Sequence, residues 1–587
     1  MPAKTKYLMN PDPWERLQPI IKLKEPQSMH VKKQYSFLLL AIFLMIYILP
    51  LGARDLIVPD ETRYGEIPRE MIAGDWVSPH LNGVRYFEKP VLGYWVHAGS
   101  IFLFGENNFA VRLPSAVAVG LSALLIYVLV CRVCSSVDEK SNWAAVILAV
   151  LTFLTCFEVF GVGNTAVLDS LLSFFLTATI TTFYFASEAP PGSAREKQFL
   201  LLSGVSCGLA FLTKGFLAFA VPVLVVAPYL TWLRRYRDLW RMSWLPIVTA
   251  ALVALPWCIL IHLREPDFWR FFFWNEHVRR FMADSAQHKE SFWFFLIIAP
   301  GMFMPWTFVT PAAMAGIKVP FNDRGPQGRL IRLSICWLVL PFLFFSVSNG
   351  KLLTYILPCF PPFAILMAFG LLYAFKKEGR NNFFQWGAIG NVILFGLILL
   401  AFVYVQLFGY KGFQPYSQPW KAIMAVNALV FVIIFCCWSF RSQERIKKII
   451  LFGLSPFLLF FTAHFILPDL TIEKKAPGIL LERYRHGIGQ NTIVISDEDT
   501  IRAVCWYLKR SDVYVLGGAG ELDYGLAYED AAGKLLEIKS AVRLIDCNQG
   551  KTVLVARAKS IRRWQDQLPK PVSQDDSGPE GYVLWRY

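Results

Sequence analysis

Long apolar runs dominate residues 35–467, and most of the polar stretches between them are short. A helix needs about twenty apolar residues to cross a bilayer. Runs near that length lie at Tyr35–Gly52, Val111–Cys131, Trp143–Val159, Val167–Ala186, Phe199–Leu212, Phe216–Leu233, Trp244–His262, Phe292–Ala315, Ile331–Val347, Leu352–Phe375, Phe384–Phe408, Trp420–Phe440 and Ile449–Leu467. The pattern predicts about 13 transmembrane helices, Phe199–Leu212 being the shortest. No run carries an evident sign of a broken half-helix. From Pro468 the pattern changes to short β-rich runs (TIVIS, DVYVL, TVLVA) between polar helical stretches, as in a small α/β domain. The fold class expected is an α-helical integral membrane domain over 1–467, with polar loops at 53–110 and 263–290, followed by an α/β domain over 468–587.

Composition agrees: of 587 residues, 55% are hydrophobic, 15% aromatic and only 17% charged, well below the charged share of soluble domains. The net charge of +15 raises the question of nucleic acid. The basic residues, however, cluster in alternate loops, RRYRDLWR, KKEGR and RSQERIKK, while FGVGNTAV and SVSNGK between the other spans are almost free of them. That is the positive-inside pattern of a membrane protein. It places the N-terminus in the cytoplasm and, with an odd number of spans, the domain after Pro468 outside. The first run follows Lys22, Lys24, Lys32 and Lys33 and lacks a small-residue cleavage site, which reads as an uncleaved anchor. Most of the eleven cysteines sit in apolar runs as small hydrophobes. Cys505 and Cys547, both in the external domain, either pair or stay free.

Three segments on the outer side carry the chemistry. The first, from Arg54 to about Phe109, holds Asp60, Glu61, Arg63, Tyr64, Glu88 and Lys89. Asp60 and Glu61 are either a solvated cap on a helix end or carboxylates that stabilise a positive centre such as an oxocarbenium-like sugar. Asp169, in the turn GNTAVLDS, enters a span on the same side, and an ionisable group at membrane depth points to function. Lys89 is either half of a surface ion pair with Glu88 or, with Arg63, a grip on a phosphate. Pro90 turns Lys89 out of helical geometry. In the third-loop stretch NEHVRRF, His277 is either a hydrogen-bonded structural histidine or, with Glu88, a ligand of a divalent ion. In SNGKLLTYILP, Tyr355 stands four residues after Lys351, a spacing that either faces both to a polar cavity or packs them.

The stretch PDETRYGEIPREMIAGDWVSPHLNGVRYFEKPVLGYW, together with NEHVRRF and SNGKLLTYILP, resembles the bacterial lipid A 4-amino-4-deoxy-L-arabinose transferases. These belong to the GT-C superfamily, which includes the protein O-mannosyltransferases. The resemblance covers most of the membrane region and, over the last 120 or so residues, only the layout. It implies a glycosyltransferase of the bacterial inner membrane with its site on the periplasmic side. The reaction implied moves aminoarabinose from undecaprenyl phosphate to phosphates of lipid A, conferring resistance to polymyxin and cationic peptides. Carried over residue by residue, it makes Asp60, Glu61 and Asp169 catalytic carboxylates and gives Arg63, Lys89, Tyr64 and Tyr355 to the donor phosphate. Glu88 and His277 become ligands of a divalent metal, zinc by analogy. The partners implied are the lipid-linked donor, lipid A and membrane lipids, without nucleic acid. Two readings compete: a GT-C transferase of another sugar to a glycan or protein, and, from another class, a lipid or solute transporter.

Overall fold

The structure, a computed structural model, describes residues 28–134, 139–279, 289–376, 381–410 and 412–587. Among them, eight helices are long and apolar enough to cross a membrane, from Asn108–Cys134 to Arg445–Ala463, and up to ten if two bent pairs count as one span each. Shorter apolar helices lie at Gln34–Ile48, Leu92–Phe104 and Leu217–Trp232. The chain is a multi-pass membrane protein.

The two bent pairs correct the expectation of unbroken runs. Trp143–Leu154 and Phe157–Gly163 meet at 61°, and Phe294–Met302 and Trp306–Phe321 at 96°. Backbone groups freed inside a membrane need internal partners, and here the two breaks supply each other. The Phe157 amide donates to the Met304 carbonyl at 3.0 Å, and the Trp306 indole N–H donates to Thr155 Oγ1 at 3.0 Å. Elsewhere the bundle closes tightly. A Cβ at Gly204 or Gly208, in helix Ala194–Lys214, would come within 2.6 or 2.8 Å of backbone oxygens of helix Trp244–Arg264, so glycine at this four-residue spacing sets the approach.

The first polar loop folds into helix Asp60–Ala73, a hairpin of β1 (His80–Leu81) and β2 (Val84–Arg85), and helix Leu92–Phe104. Asn82 and Gly83 join the two strands with φ of 57° and 65°, the geometry that makes Asn-Gly the favoured two-residue hairpin turn. The C-terminal domain is a six-stranded sheet of β3 (Ile493–Ser496), β4 (Tyr514–Leu516), β5 (Leu535–Leu536), β6 (Thr552–Arg557), β7 (Ser573–Asp576) and β8 (Tyr582–Arg586), in the order β5-β4-β3-β6-β8-β7. The first four positions pair in parallel, and β8 and β7 add antiparallel. Alternate side chains serve different cores, as a strand's period of two dictates. Val494, Val515 and Val553 join the large core shared with the membrane body, while Ile495, Leu516 and Leu554 form a separate cluster on the other face.

The hairpin tip docks on this domain. The Asn82 side-chain amide donates to the Val513 carbonyl at 2.8 Å and accepts from the Val513 amide at 3.0 Å, while Lys534 reaches the Asn82 carbonyl. Cys505 and Cys547 are both free, Cys505 buried and Cys547 exposed.

Candidate active site

A cavity of about 450 Å³ opens where the first loop, the membrane helices and the C-terminal domain meet. Its wall brings together residues from distant parts of the chain: Asp60, Arg63, Tyr64, Glu88 and Lys89 from the first loop, Asp169, Lys214, Glu276, Tyr355 and Glu521. The rest is largely apolar, with Leu217, Phe344, Phe345, Leu352 and Leu353.

Each polar residue is placed by local structure. Asp60 begins helix Asp60–Ala73 behind Pro59, where an acid suits the positive helix end. Its side chain is half exposed and stands 3.4 Å from Arg63. Asp169 lies in the first turn of helix Leu168–Ser187, and Lys214 in the last turn of the next helix, Ala194–Lys214. The helix dipole favours both placements, and antiparallel packing brings them to 2.5 Å. The Lys214 ammonium also stands 4.9 Å from the Tyr355 ring centre. Lys89 donates to Glu276 at 2.9 Å and to the Glu88 carbonyl at 2.8 Å; its carboxylate partner is therefore Glu276, from the third loop, and not Glu88.

The C-terminal domain contributes Glu521, in the turn Gly520–Leu522 beyond the carboxyl end of β4, the edge where open α/β sheets present ligand-binding groups. Glu521 accepts from Arg63 at 2.7 Å, Arg502 at 3.1 Å and Tyr86 at 3.2 Å. Burial pushes its carboxyl up, but Arg63 and Arg502 outweigh burial and hold it below the ordinary value. Glu88 differs: burial, with Glu521 and Glu276 nearby, raises it against the opposing pull of Lys89 and Arg63.

Glu61 corrects the sequence reading. It lies beside Asp60 in the chain, but a helix turns about 100° per residue, which carries it away from the cavity and leaves it 1% exposed. Arg54 donates to it at 2.7 and 3.0 Å and Arg112 at 2.7 and 2.8 Å, and the Ile57 amide adds another bond. Burial pushes this carboxyl up, yet Arg112 and Arg54 hold it far below the usual range. It is a structural anchor. A second correction concerns Lys351, whose ammonium donates to the carbonyls of Glu290 and Ser348. It precedes the tight helical turn Leu353–Cys359 that carries Tyr355, so the two do not share a helix face.

The metal reading meets a mixed donor set. Glu88 lines the cavity; His277 falls in the turn Arg270–Arg279, and its side chain lies outside the described residues. Among the described residues no three His, Cys, Asp or Glu side chains gather as a metal site. The sequence reading missed Lys214, Glu276, Glu521 and Arg502. Lys214 closes a run that hydropathy ended at Leu212, and a lone lysine at a span end on the Asp169 side was the available signal.

A helical multi-pass body with a mixed polar and apolar cavity under an α/β domain has the architecture of a GT-C glycosyltransferase. Residues 34–272 match the dolichyl-phosphate-mannose-protein mannosyltransferase family, and residues 472–585 match the C-terminal domain of arabinosyl transferase ArnT. The chain is 38% identical over 540 residues to the undecaprenyl phosphate-alpha-4-amino-4-deoxy-L-arabinose arabinosyl transferase of Shewanella sediminis, covering 91% of this chain and 95% of that one. With the enzyme of the same name from Aeromonas hydrophila it shares 40% identity over 498 residues, 84% of this chain and 88% of the relative. The crystal structure of ArnT from Cupriavidus metallidurans bound to undecaprenyl phosphate superposes with a TM-score of 0.78 at 23% identity, over 94% of this chain and 98% of that one. The chain belongs to the ArnT family of aminoarabinose transferases.

Proposed function

We propose that this chain transfers 4-amino-4-deoxy-L-arabinose from undecaprenyl phosphate to a phosphate of lipid A, on the periplasmic side of the bacterial inner membrane. The observation that carries this reading is the cavity wall, which sets Arg63, Lys89 and Lys214 beside a largely apolar surface at the bilayer. A lipid phosphate needs both. Arg63 keeps its buried Nε–H without an acceptor among the described residues.

The acceptor phosphate is already anionic and needs no strong base. Its oxygen attacks the anomeric carbon, the glycosidic C–O bond breaks, and the lipid phosphate leaves with the bonding pair. Arg63 and Lys89 stabilise the leaving phosphate, and Asp60 and Asp169 offset positive charge at the anomeric carbon. Five lining carboxylates against three lining cations leave an acid-rich cavity that suits a protonated amino sugar. Transport fits less well, because neither break in the bent helix pairs contributes a residue to the wall. Added to lipid A, the sugar's ammonium offsets phosphate charge and so weakens the attraction of cationic peptides.

Cells with and without the gene test this reading. Lipid A from expressing cells is expected to carry an added pentosamine by mass spectrometry. A protein or glycan labelled instead, or unchanged lipid A despite expression, overturns it. We further propose that Glu88 and His277 hold one divalent ion, which would tie the first loop to the third. Elemental analysis is expected to find about one ion per chain, reduced in His277→Ala, and equal metal content in that variant removes His277 from the site.

A further inference from the structure

We propose that Arg502, which does not line the cavity, is a positioning residue that keeps Arg63 effectively cationic towards a lipid phosphate by sharing Glu521 with it. This rests on the reading of a polyprenyl-phosphate donor. Arg63 donates to one oxygen of Glu521 at 2.7 Å, while Arg502 takes the other at 3.1 Å, beside the Tyr86 hydroxyl at 3.2 Å. Both arginines are buried, at 7% and 5% exposure. Two guanidiniums and Glu521 form a row with a net charge of +1, and its Arg63 end lines the cavity, where the half-exposed Asp60 stands 3.4 Å from it. Without Arg502, Glu521 would balance Arg63 charge for charge, and a neutral pair is a poor ligand for an anion.

The placement of Arg502 is itself informative. It stands in the first turn of helix Ile501–Leu508, where the helix dipole disfavours a cation, and burying a guanidinium carries a further desolvation cost. Stability of the helix does not account for a buried arginine there. Its bond to Glu521 does, and that bond connects the C-terminal domain to the charge of the cavity.

The test measures equilibrium binding of undecaprenyl phosphate to the purified full-length chain, with no turnover involved. R502M is expected to bind roughly tenfold or more weakly, the effect of one uncompensated charge nearby. R502K, which keeps the charge, is expected to stay within about threefold of wild type. The double variant R502M/E521Q restores a net charge of +1 and is expected to recover most of the loss, whereas a merely structural role would make the two changes add. Wild-type binding by R502M, or a double variant weaker than R502M, overturns the proposal. Should R502M not fold, E521Q alone carries the test: it leaves both guanidiniums unbalanced and is expected to tighten binding, and unchanged or weaker binding overturns the proposal. A wild-type chain that does not bind undecaprenyl phosphate sinks the donor reading itself. A wild type that binds while R502M is indifferent sinks only this inference.

Discussion

Helix Asp60–Ala73 presents two kinds of carboxylate on one short element. Glu61, Glu66 and Glu70 are committed to fixed partners: Glu61 to Arg54 and Arg112, Glu66 to Arg69 at 2.6 Å, and Glu70 to the amides of Asn82 and Gly83 at 2.6 and 2.9 Å. Asp60, by contrast, faces the cavity with a side chain half exposed and a loose contact to Arg63. The committed group holds the first loop to the membrane body and to the hairpin that docks on the C-terminal domain. Asp60 contributes little to that framework and is available to a ligand. Carboxylates that look alike in sequence thus divide by what satisfies them, and removing each should fail in a different way.

The largest effect is expected from Glu61→Gln. It leaves Arg112, fully buried, and Arg54 without a counter-charge, and breaking a buried pair in this way typically costs about 3–5 kcal/mol. Thermal unfolding of purified protein checks it. The pH dependence has a definite sign. Glu61 is held far below its ordinary value of 4.5, so its contribution is present above that value and is lost as pH falls below it. The wild type's advantage over the variant should therefore be full at neutral pH and shrink in acid. A variant as stable as wild type at neutral pH would return Glu61 to the list of free carboxylates.

Asp60→Asn should show the converse. Its fold and membrane insertion are expected to match wild type, while transfer to lipid A by membranes at matched expression falls roughly a hundredfold or more, the effect of a lost charge at a developing positive centre. Near-normal transfer would make Asp60 a solvated helix cap and remove the contrast.

The first-loop cluster was legible in the sequence because Asp60, Arg63, Tyr64, Glu88 and Lys89 lie within one polar stretch, and all five line the cavity. Asp169 and Tyr355 were legible as polar groups at the ends of apolar runs. Glu61 was misjudged because adjacency in a chain says nothing about which side of a helix a residue takes. Glu276 and Glu521 were missed because their partners, Lys89 and Arg63, are 187 and 458 residues away. No local pattern encodes such a pairing, and the Gly-rich turn that carries Glu521 offers no chemistry of its own. The β-rich runs TIVIS, DVYVL and TVLVA do mark core strands of the α/β domain. The break between Leu154 and Phe157 was hidden because hydropathy registers composition only, whereas the one between Met302 and Trp306 carried a signal that hydropathy does not weigh, Pro300, Gly301 and Pro305.

Glu70→Gln is expected to have the smallest effect and to sharpen the division within the committed group. Burial first, and Glu66 beside it, push the Glu70 carboxyl well above its ordinary value of 4.5. The fold therefore favours its protonated form, which can donate to Glu66 while its oxygens accept from the hairpin amides. Stabilisation from a raised carboxyl is present at low pH and is lost as pH rises through the folded value. Glutamine keeps a donor for Glu66 and one acceptor for the hairpin, giving up the second of the two amide bonds, and it does not titrate. At pH 5 the variant should unfold slightly below wild type, by the one hairpin bond it gives up, and it should gain on wild type as pH rises towards 8. A variant that instead loses ground as pH rises would show that Glu70 is anchored as a carboxylate, like Glu61.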